Sequence, residues 1–407
     1  MTSRMWRKGR RVAVSGAGPG GVSAALELLN QGYDVRIYER ASEPKPLGGA
    51  VLLSTPVLAI LRHYGLDVGP SFGSKTIVEF RNNKGHVRAK LPFNEKVENA
   101  LGIPGWHYGV LRSTAFGKML EKLPDGVIVP NRAVVGYQET ADGVRVLFED
   151  GEPEEADILI AADGIRPKVT EQAFGDPKLF HVGLRVWLAW CEDFGGLDRS
   201  VGAITHGRDV QASFFPMLHE GKPGWEWWVV EKSGEGAEIP ADPEAHLRER
   251  ISHFADPLPR FLEHTNFDTQ VFRWEIYNRP SLEHWTKGRM AGLGDAVHPV
   301  SPYAAYGMGM AIEDGYFLAR ALGGCDLSNK AGVDAAFARY EKERVAYVTH
   351  HVEFARKLGN QFHHAPKPVA WLRDTIFDNT KTLEKLITKD YLKDAEVMSL
   401  SLKELHV

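Results

Sequence analysis

The stretch Arg11 to Arg40, RVAVSGAGPGGVSAALELLNQGYDVRIYER, constrains the fold more than any other part of the chain. The β-branched run at residues 12–14 suits a buried parallel strand. Gly16-Ala17-Gly18-Pro19-Gly20-Gly21 follows at once, and an apolar helical segment at 22–29 closes at Gly32. A second strand at 34–38 ends on Glu39, 18 residues beyond Gly21. Gly16 permits a tight turn, Gly18 lets a pyrophosphate approach the backbone, and Gly21 lets helix and strand pack closely. The helix start then offers N–H groups and the positive end of its dipole to phosphates. Glu39 is placed to accept hydrogen bonds from ribose hydroxyls. A G-x-G-x-x-G alone is weak, because glycines also mark ordinary turns. Here strand, helix, second strand and terminal acid all fall in place, so the stretch is expected to bind a dinucleotide.

Composition narrows the remaining choices. A chain of 407 residues is expected to form two or three domains, and 43% hydrophobic with 25% charged residues is an ordinary globular balance. A net charge of −4 and the lack of a basic block give no support to a nucleic-acid partner. The basic start MTSRMWRKGRR leads into no apolar core, and no run approaches a membrane span. A cytoplasmic location is therefore expected. Cys191 and Cys325 form no CxxC or zinc spacing, and the 16 histidines include no H-E-x-x-H, so no metal is expected.

Farther along, residues 57–64 read as a short helix and 75–91 as a hairpin around Asn83-Lys84-Gly85. Ser113 is a candidate N-cap for a helix at 114–123. Strands are expected at 134–139, 144–149 and 156–162, the last ending on Asp163-Gly164. The middle of the chain is different. Strands at 184–190, 211–217, 225–230 and 269–277 are dense in aromatics and carry Trp187, Trp190, Trp225, Trp227 and Trp228. With little helix between them they predict a mostly antiparallel sheet. Those aromatics suit either a packed core or a flat cavity for a ring-bearing ligand, and both readings stay open. A last strand near 288–295 and helices at 310–322, 334–358 and in the final 40 residues complete the expectation.

Four separated segments together resemble the single-component flavin-dependent monooxygenases of the aromatic hydroxylase type, the para-hydroxybenzoate hydroxylase-like family. They are the glycine loop through Glu39-Arg40, Arg112 in L-R-x-x-x-F, Asp163-Gly164 in ADILIAADGIR, and the run from Asn278-Arg279-Pro280 into GLGDAVHPVSPYAAYGMGMAIEDG. The stretch Leu47-Gly48-Gly49 is also reminiscent of tetracycline-inactivating members. The resemblance implies an α/β fold: a Rossmann-type, glutathione-reductase-like FAD-binding domain, an inserted mostly antiparallel β-sheet substrate domain, and C-terminal helices. The expected division is 1–74, 100–178 and 278–330 for FAD, 75–99 and 179–277 for substrate, and 331–407 for the helical region.

The same resemblance implies which residues meet FAD: Gly16, Gly18, Pro19, Gly20, Gly21, Glu39, Arg40, Gly49, Arg112, Val134, Asp163, Gly164, Asp295, Pro302, Gly307 and Met308. Trp187, Phe215, Trp227 and Tyr306 are expected at the substrate pocket, and Arg185, His206 and Gln211 are the polar candidates for catalysis. The implied reaction uses NADH or NADPH, O2 and a flavin C4a-hydroperoxide to hydroxylate or epoxidise an electron-rich aromatic or polycyclic small molecule. A monomer or homodimer is expected. Two departures stand out. Pro167 and Thr170 replace the Ser and Arg common after the DG motif, and Trp187-Leu188-Ala189 replaces W-R-G, so the usual substrate-anchoring arginine is missing. Alternatives are a reductase, oxidase or halogenase of the same fold, and a non-catalytic FAD-fold binding protein. The failed match to W-x-W-x-I-P at Trp225-Glu226-Trp227-Trp228 disfavours the halogenase. The lack of a second glycine-rich strand–helix unit disfavours two-nucleotide flavoproteins.

Overall fold

The computed structural model describes residues 6–45, 48–91, 94–176, 178–300 and 306–406. The chain opens with β1 (Arg11–Ser15), α1 (Pro19–Asn30), β2 (Asp34–Tyr38), β3 (Ala50–Ser54), α2 (Thr55–His63), β4 (Ser74–Asn82) and β5 (Val87–Leu91). Next come α3 (Glu95–Leu101), β6 (His107–Leu111), α4 (Arg112–Leu120), β7 (Ile128–Val129), β8 (Val134–Glu139), β9 (Val144–Phe148), β10 (Glu154–Ala156), β11 (Ile158–Ala161) and α5 (Lys168–Phe174). The middle holds β12 (Phe180–Glu192), β13 (Val201–His206), β14 (Val210–His219), β15 (Lys222–Lys232), α6 (Pro243–Ile251), α7 (Leu258–Glu263) and β16 (Val271–Asn278). Last are β17 (Thr286–Lys287), β18 (Met290–Gly292), α8 (Gly307–Leu322), α9 (Lys330–Gly359), α10 (Lys367–Asn379), α11 (Thr382–Ile387) and α12 (Lys393–Leu400).

A six-stranded sheet in the order β17-β18-β11-β1-β2-β7 carries the glycine loop. β1 pairs in parallel with both β2 and β11, so it is shielded on its edges as well as its faces and reads as a continuous apolar run. A parallel pair needs a crossover, and α1 supplies it between β1 and β2.

The second sheet has nine strands, in the order β16-β12-β15-β14-β13-β4-β6-β3 with β5 attached to β4. Its centre, β12, β15 and β14, is antiparallel. Alternation along β15 divides the tryptophans. Trp225 and Trp227 join a core closed by Leu247 and Ile251 of α6 and Phe261 of α7. Trp228 and Val230 project to the other face, with Leu52, Phe215 and Ile387. β3 and β6 belong to this sheet although they flank the glycine-loop part in sequence, and β3 leads straight into α2.

Among the boundaries that differ from expectation, two helix starts have a clear cause. α4 begins at Arg112 with no side-chain cap, so Ser113 lies inside its first turn. β6 runs directly into the helix and leaves no loop residue to cap it. α9 starts at Lys330, four residues before the expected 334, where the Asn329 side chain accepts from Gly332 N at 3.3 Å.

Candidate active site

One cleft of about 420 Å³ runs from the glycine loop to the aromatic sheet. At its first end, β1 turns through Gly16, whose φ of +102° and 2.5 Å approach of a would-be Cβ to the Ala162 carbonyl admit only glycine. Gly18 then caps α1 with backbone alone: no side chain bonds the first turn, and a Cβ there would meet nothing within 4 Å. Pro19, Gly20 and Gly21 line the same opening. The helix thus presents unpaired N–H groups to a space sized for phosphates. Glu39 at the end of β2 accepts from Ala17 N and Ala41 N, both at 3.0 Å, so its carboxylate braces this loop. Arg40 is exposed beside it, and Val134 is buried at the start of β8.

The middle of the cleft is where the ends of β11, β18 and α4 converge. Gly164, Arg112 and Asp295 line it. Burial lowers the Arg112 guanidinium, and the Asp295 charge partly offsets that. Asp295 is ringed by protein yet open to the cleft; crowding raises its carboxyl against the pull of His298, Arg112 and Arg279. Asp163 caps α5 through Oδ2, which accepts from Val169 N at 3.1 Å, while its buried Oδ1 has no protein partner. Arg279 donates to the Asp295 carbonyl at 2.5 Å and faces the charge of Asp163; burial brings it down to about 10. It ties the two acidic turns together, and its place in Asn278-Arg279-Pro280 was the available signal.

At the far end, Leu52, Leu188, Phe215, Glu226, Trp228 and Trp274 form one wall, and Tyr306, Gly307 and Met308 approach from the start of α8. Phe215 and Trp228 hold each other at 5.7 Å between centroids. Tyr306 is fixed from behind: Ser54 Oγ donates to its hydroxyl at 2.7 Å, and that hydroxyl donates to Glu313. Glu313 pairs with Arg344 at 2.9 Å, and Arg344 with Asp314 at 2.8 Å. Asp314 also accepts from Gly294 N at 3.0 Å and meets His298 at 2.5 Å. Burial opposes ionisation of Asp314, but His298 and Arg344 outweigh it and hold the carboxyl below its ordinary range. This network locks the turn carrying Asp295 and the residue Tyr306 to α8 and α9. A smaller apolar chamber of about 80 Å³ shares Leu52 and Tyr306 with the cleft and is otherwise lined by residues such as Phe80, His107, His206 and Met310.

Several expected site residues lie elsewhere. Trp187 and Trp227 sit on the opposite face of the sheet, since alternation along β12 and β15 turns them into the core under α6 and α7. Their indole N–H groups bond Glu231 and Thr265, both at 2.8 Å. Arg185 lines neither space: it is buried in an ion pair with Glu275 at 2.7 Å and donates to the carbonyls of Ala237 and Glu238. Gln211 bonds Ser213 at 3.1 Å and lines neither space. His206 stacks on Phe362 at 3.6 Å and faces the smaller chamber rather than the cleft. Pro302 lies outside the described residues. Phe215 and Tyr306 do line the cleft, with Trp228 and Trp274 as its further aromatics. Leu188 and Glu226, which carry no motif, went unnoticed in the sequence as site residues.

The uncapped helix start, the open space at Gly18, the orphaned Asp163 oxygen and the aromatic far wall suit FAD, with its diphosphate at one end and its ring at the other. Comparisons agree. The FAD binding domain model matches residues 10–355. The chain is 30% identical to 6-hydroxynicotinate 3-monooxygenase of Pseudomonas fluorescens over 346 residues, covering 82% of this chain and 87% of that one. It is 26% identical to aurachin C monooxygenase/isomerase of Stigmatella aurantiaca over 374 residues, covering 91% and 94%. The fold matches Klebsiella pneumoniae HpxO complexed with FAD and uric acid at a TM-score of 0.80 and 22% identity, covering 98% and 99%.

Proposed function

The chain belongs to the FAD binding domain family, and from that premise we propose how its cleft serves a monooxygenase and what it oxidises. It is a flavin-dependent monooxygenase with FAD as cofactor, as its relatives are named monooxygenases across most of their length. We assign it a small aromatic or polycyclic substrate and NAD(P)H as electron donor. The observation that carries the assignment is the single cleft in which Gly18–Gly21, Asp295 and the Phe215–Trp228 wall all take part. Those relatives favour this reading over a reductase, an oxidase, a halogenase or a non-catalytic FAD-fold protein.

Bound FAD supplies the activation of O2 and the transfer of one oxygen atom to the ring. The chain does the rest. The N–H groups at the start of α1 would hold the diphosphate, and Glu39, bonded to Ala17 N and Ala41 N, would keep the loop in shape for it. Arg112 and Asp295, which line the cleft between its two ends, would grip the polyol, the first as a cation and the second as a hydrogen-bond acceptor. Leu52, Phe215, Trp228 and Trp274 exclude water from the reacting ring and align it by stacking. Backbone N–H groups of Gly307 and Met308, which line the cleft, would stabilise negative charge on the ring. We propose the division 1–74, 100–178 and 278–330 for the cofactor and 75–99 and 179–277 for substrate, with β3 and β6 as the strands through which the two parts interlock.

The test is direct. Purified protein should be yellow, with near-stoichiometric FAD, and should oxidise NAD(P)H faster when a suitable aromatic is added. A colourless protein that takes up no FAD would overturn the assignment.

A further inference from the structure

The smaller chamber beside the cleft is built from two facing surfaces. Its floor is one face of the second sheet. Ile204 of β13 lies opposite Phe80 of β4, and Val78 of β4 opposite Leu91 of β5, so all four side chains point the same way. Its roof is α9, whose His351, Phe354, Ala355 and Leu358 recur at i, i+3, i+4 and i+7 and form one helical stripe. Ile387 of α11 and Met310 of α8 complete the lining. Phe80, Ile204, Phe354 and Leu358 are only partly buried, so hydrocarbon surface stays uncovered around the space.

The chamber continues the cleft. Leu52 and Tyr306 line both, and the Phe215–Trp228 wall belongs to the same apolar cluster as Val78 and Leu91. Ser54 and Glu313 hold the Tyr306 hydroxyl, so this shared edge keeps its position. No Asp, Glu, Lys or Arg is among the described residues that line the chamber. Its polar members are Tyr306 and three histidines. Burial holds His107 down to about 4 and His351 to about 3, and the charges that reach His206 and His351 are cations. A charged group in this space would lose its water without gaining an ion partner. An empty apolar space also forfeits contacts that a hydrocarbon would restore. On the scale where about 150 Å³ holds a benzene ring, about 80 Å³ holds three or four carbons.

Resting on the monooxygenase reading above, we propose that this chamber takes a short uncharged hydrocarbon substituent of the substrate, three or four carbons long, while the ring itself stays in the cleft. The substrate class is therefore a ring with an apolar arm, and the strip from Leu52 and Tyr306 to Ala355 and Leu358 reads the length and charge of that arm.

FAD content separates this inference from the reading it rests on: loss of FAD would refute the latter, whereas the inference is read only in protein that holds it. Oxidised holoprotein is titrated with phenol and with 2-, 3- and 4-propylphenol, and the flavin absorbance change reports binding. The best propyl isomer should bind at least about tenfold more tightly than phenol, since each buried carbon is worth about three- to fourfold. The same ring carrying a propanoate arm in place of propyl should bind no better than phenol. Ala355→Leu puts three carbons of its own into the chamber. The ratio of propylphenol to phenol affinity, read within each protein so that a general loss cancels, should then fall to within about twofold of one. No response to any isomer, a wild-type ratio near one, a propanoate arm bound as tightly as propyl, or an unchanged ratio in Ala355→Leu would each overturn the proposal. If Ala355→Leu fails to fold, Ile204→Phe fills the space from the opposite wall, and the wild-type series decides if neither variant folds.

Discussion

Single residues carry the proposed grip on the cofactor and the packing at the aromatic end of the cleft, and one substitution probes each. Asp295 opens to the cleft while Arg279 holds its backbone carbonyl. Asp295→Ala should keep the fold, because the Gly294 and His298 contacts run to Asp314 instead. It should weaken FAD binding about tenfold or more, the worth of a charge-assisted hydrogen bond, as measured by fluorescence titration of the apoprotein. Gly49 tests the placement of Glu226. A methyl group there must push on a buried carboxyl held by Ala50 N. Gly49→Ala should cost about 1–3 kcal/mol in denaturant unfolding, and adding Glu226→Ala should relieve part of that cost, giving a non-additive double-mutant cycle. Strictly additive losses would mean that the two groups do not meet.

Among the elements, β15 is the most informative. Its neighbouring tryptophans serve different spaces, so their truncations should part. Trp227→Ala opens a cavity under α6 and α7 and should destabilise the protein by about 3–5 kcal/mol. Trp228→Ala removes part of the cleft wall, so it should raise KM for the ring substrate severalfold in protein that still holds FAD. The aromatic density of these strands was legible in the sequence, but the side each ring faces was not. Alternation gives two sets of residues and not which set is inward, and β15 is buried along both faces from Trp225 to Val230. Trp187 and Trp227 were assigned to the pocket for that reason. The glycine loop suffered no such ambiguity, because turn, helix start and phosphate space are set by local backbone. Glu226 had no local signature at all; its meaning comes from Gly49 and Ala50, some 176 positions away.

Across the molecule, buried histidines couple stability to pH. Burial lowers His107 to about 4 and His351 and His363 to about 3, whereas in the unfolded chain each returns toward 6.5. Below 6.5 the unfolded state binds more protons than the native one. The stability these neutral histidines allow is therefore complete above that pH and is lost progressively as pH falls toward 4. Tm should drop by several degrees over that window, and His107→Asn should flatten the decline relative to wild type. At this scale the order of the glycine loop, DG turn and GD turn along the chain already pointed to one cofactor cleft. The pairing of β3 and β6 into the substrate sheet did not show in the sequence, because strand partners far apart leave no local trace. The central claim is that the cleft joins FAD and an aromatic ring for oxygen transfer. Turnover of the holoprotein with NAD(P)H and a panel of aromatic rings under ¹⁸O₂ tests it most directly. A hydroxylated or epoxidised product carrying the heavy isotope is the predicted result. A product whose oxygen derives from water, or cofactor oxidation that yields only hydrogen peroxide with every ring, would contradict it.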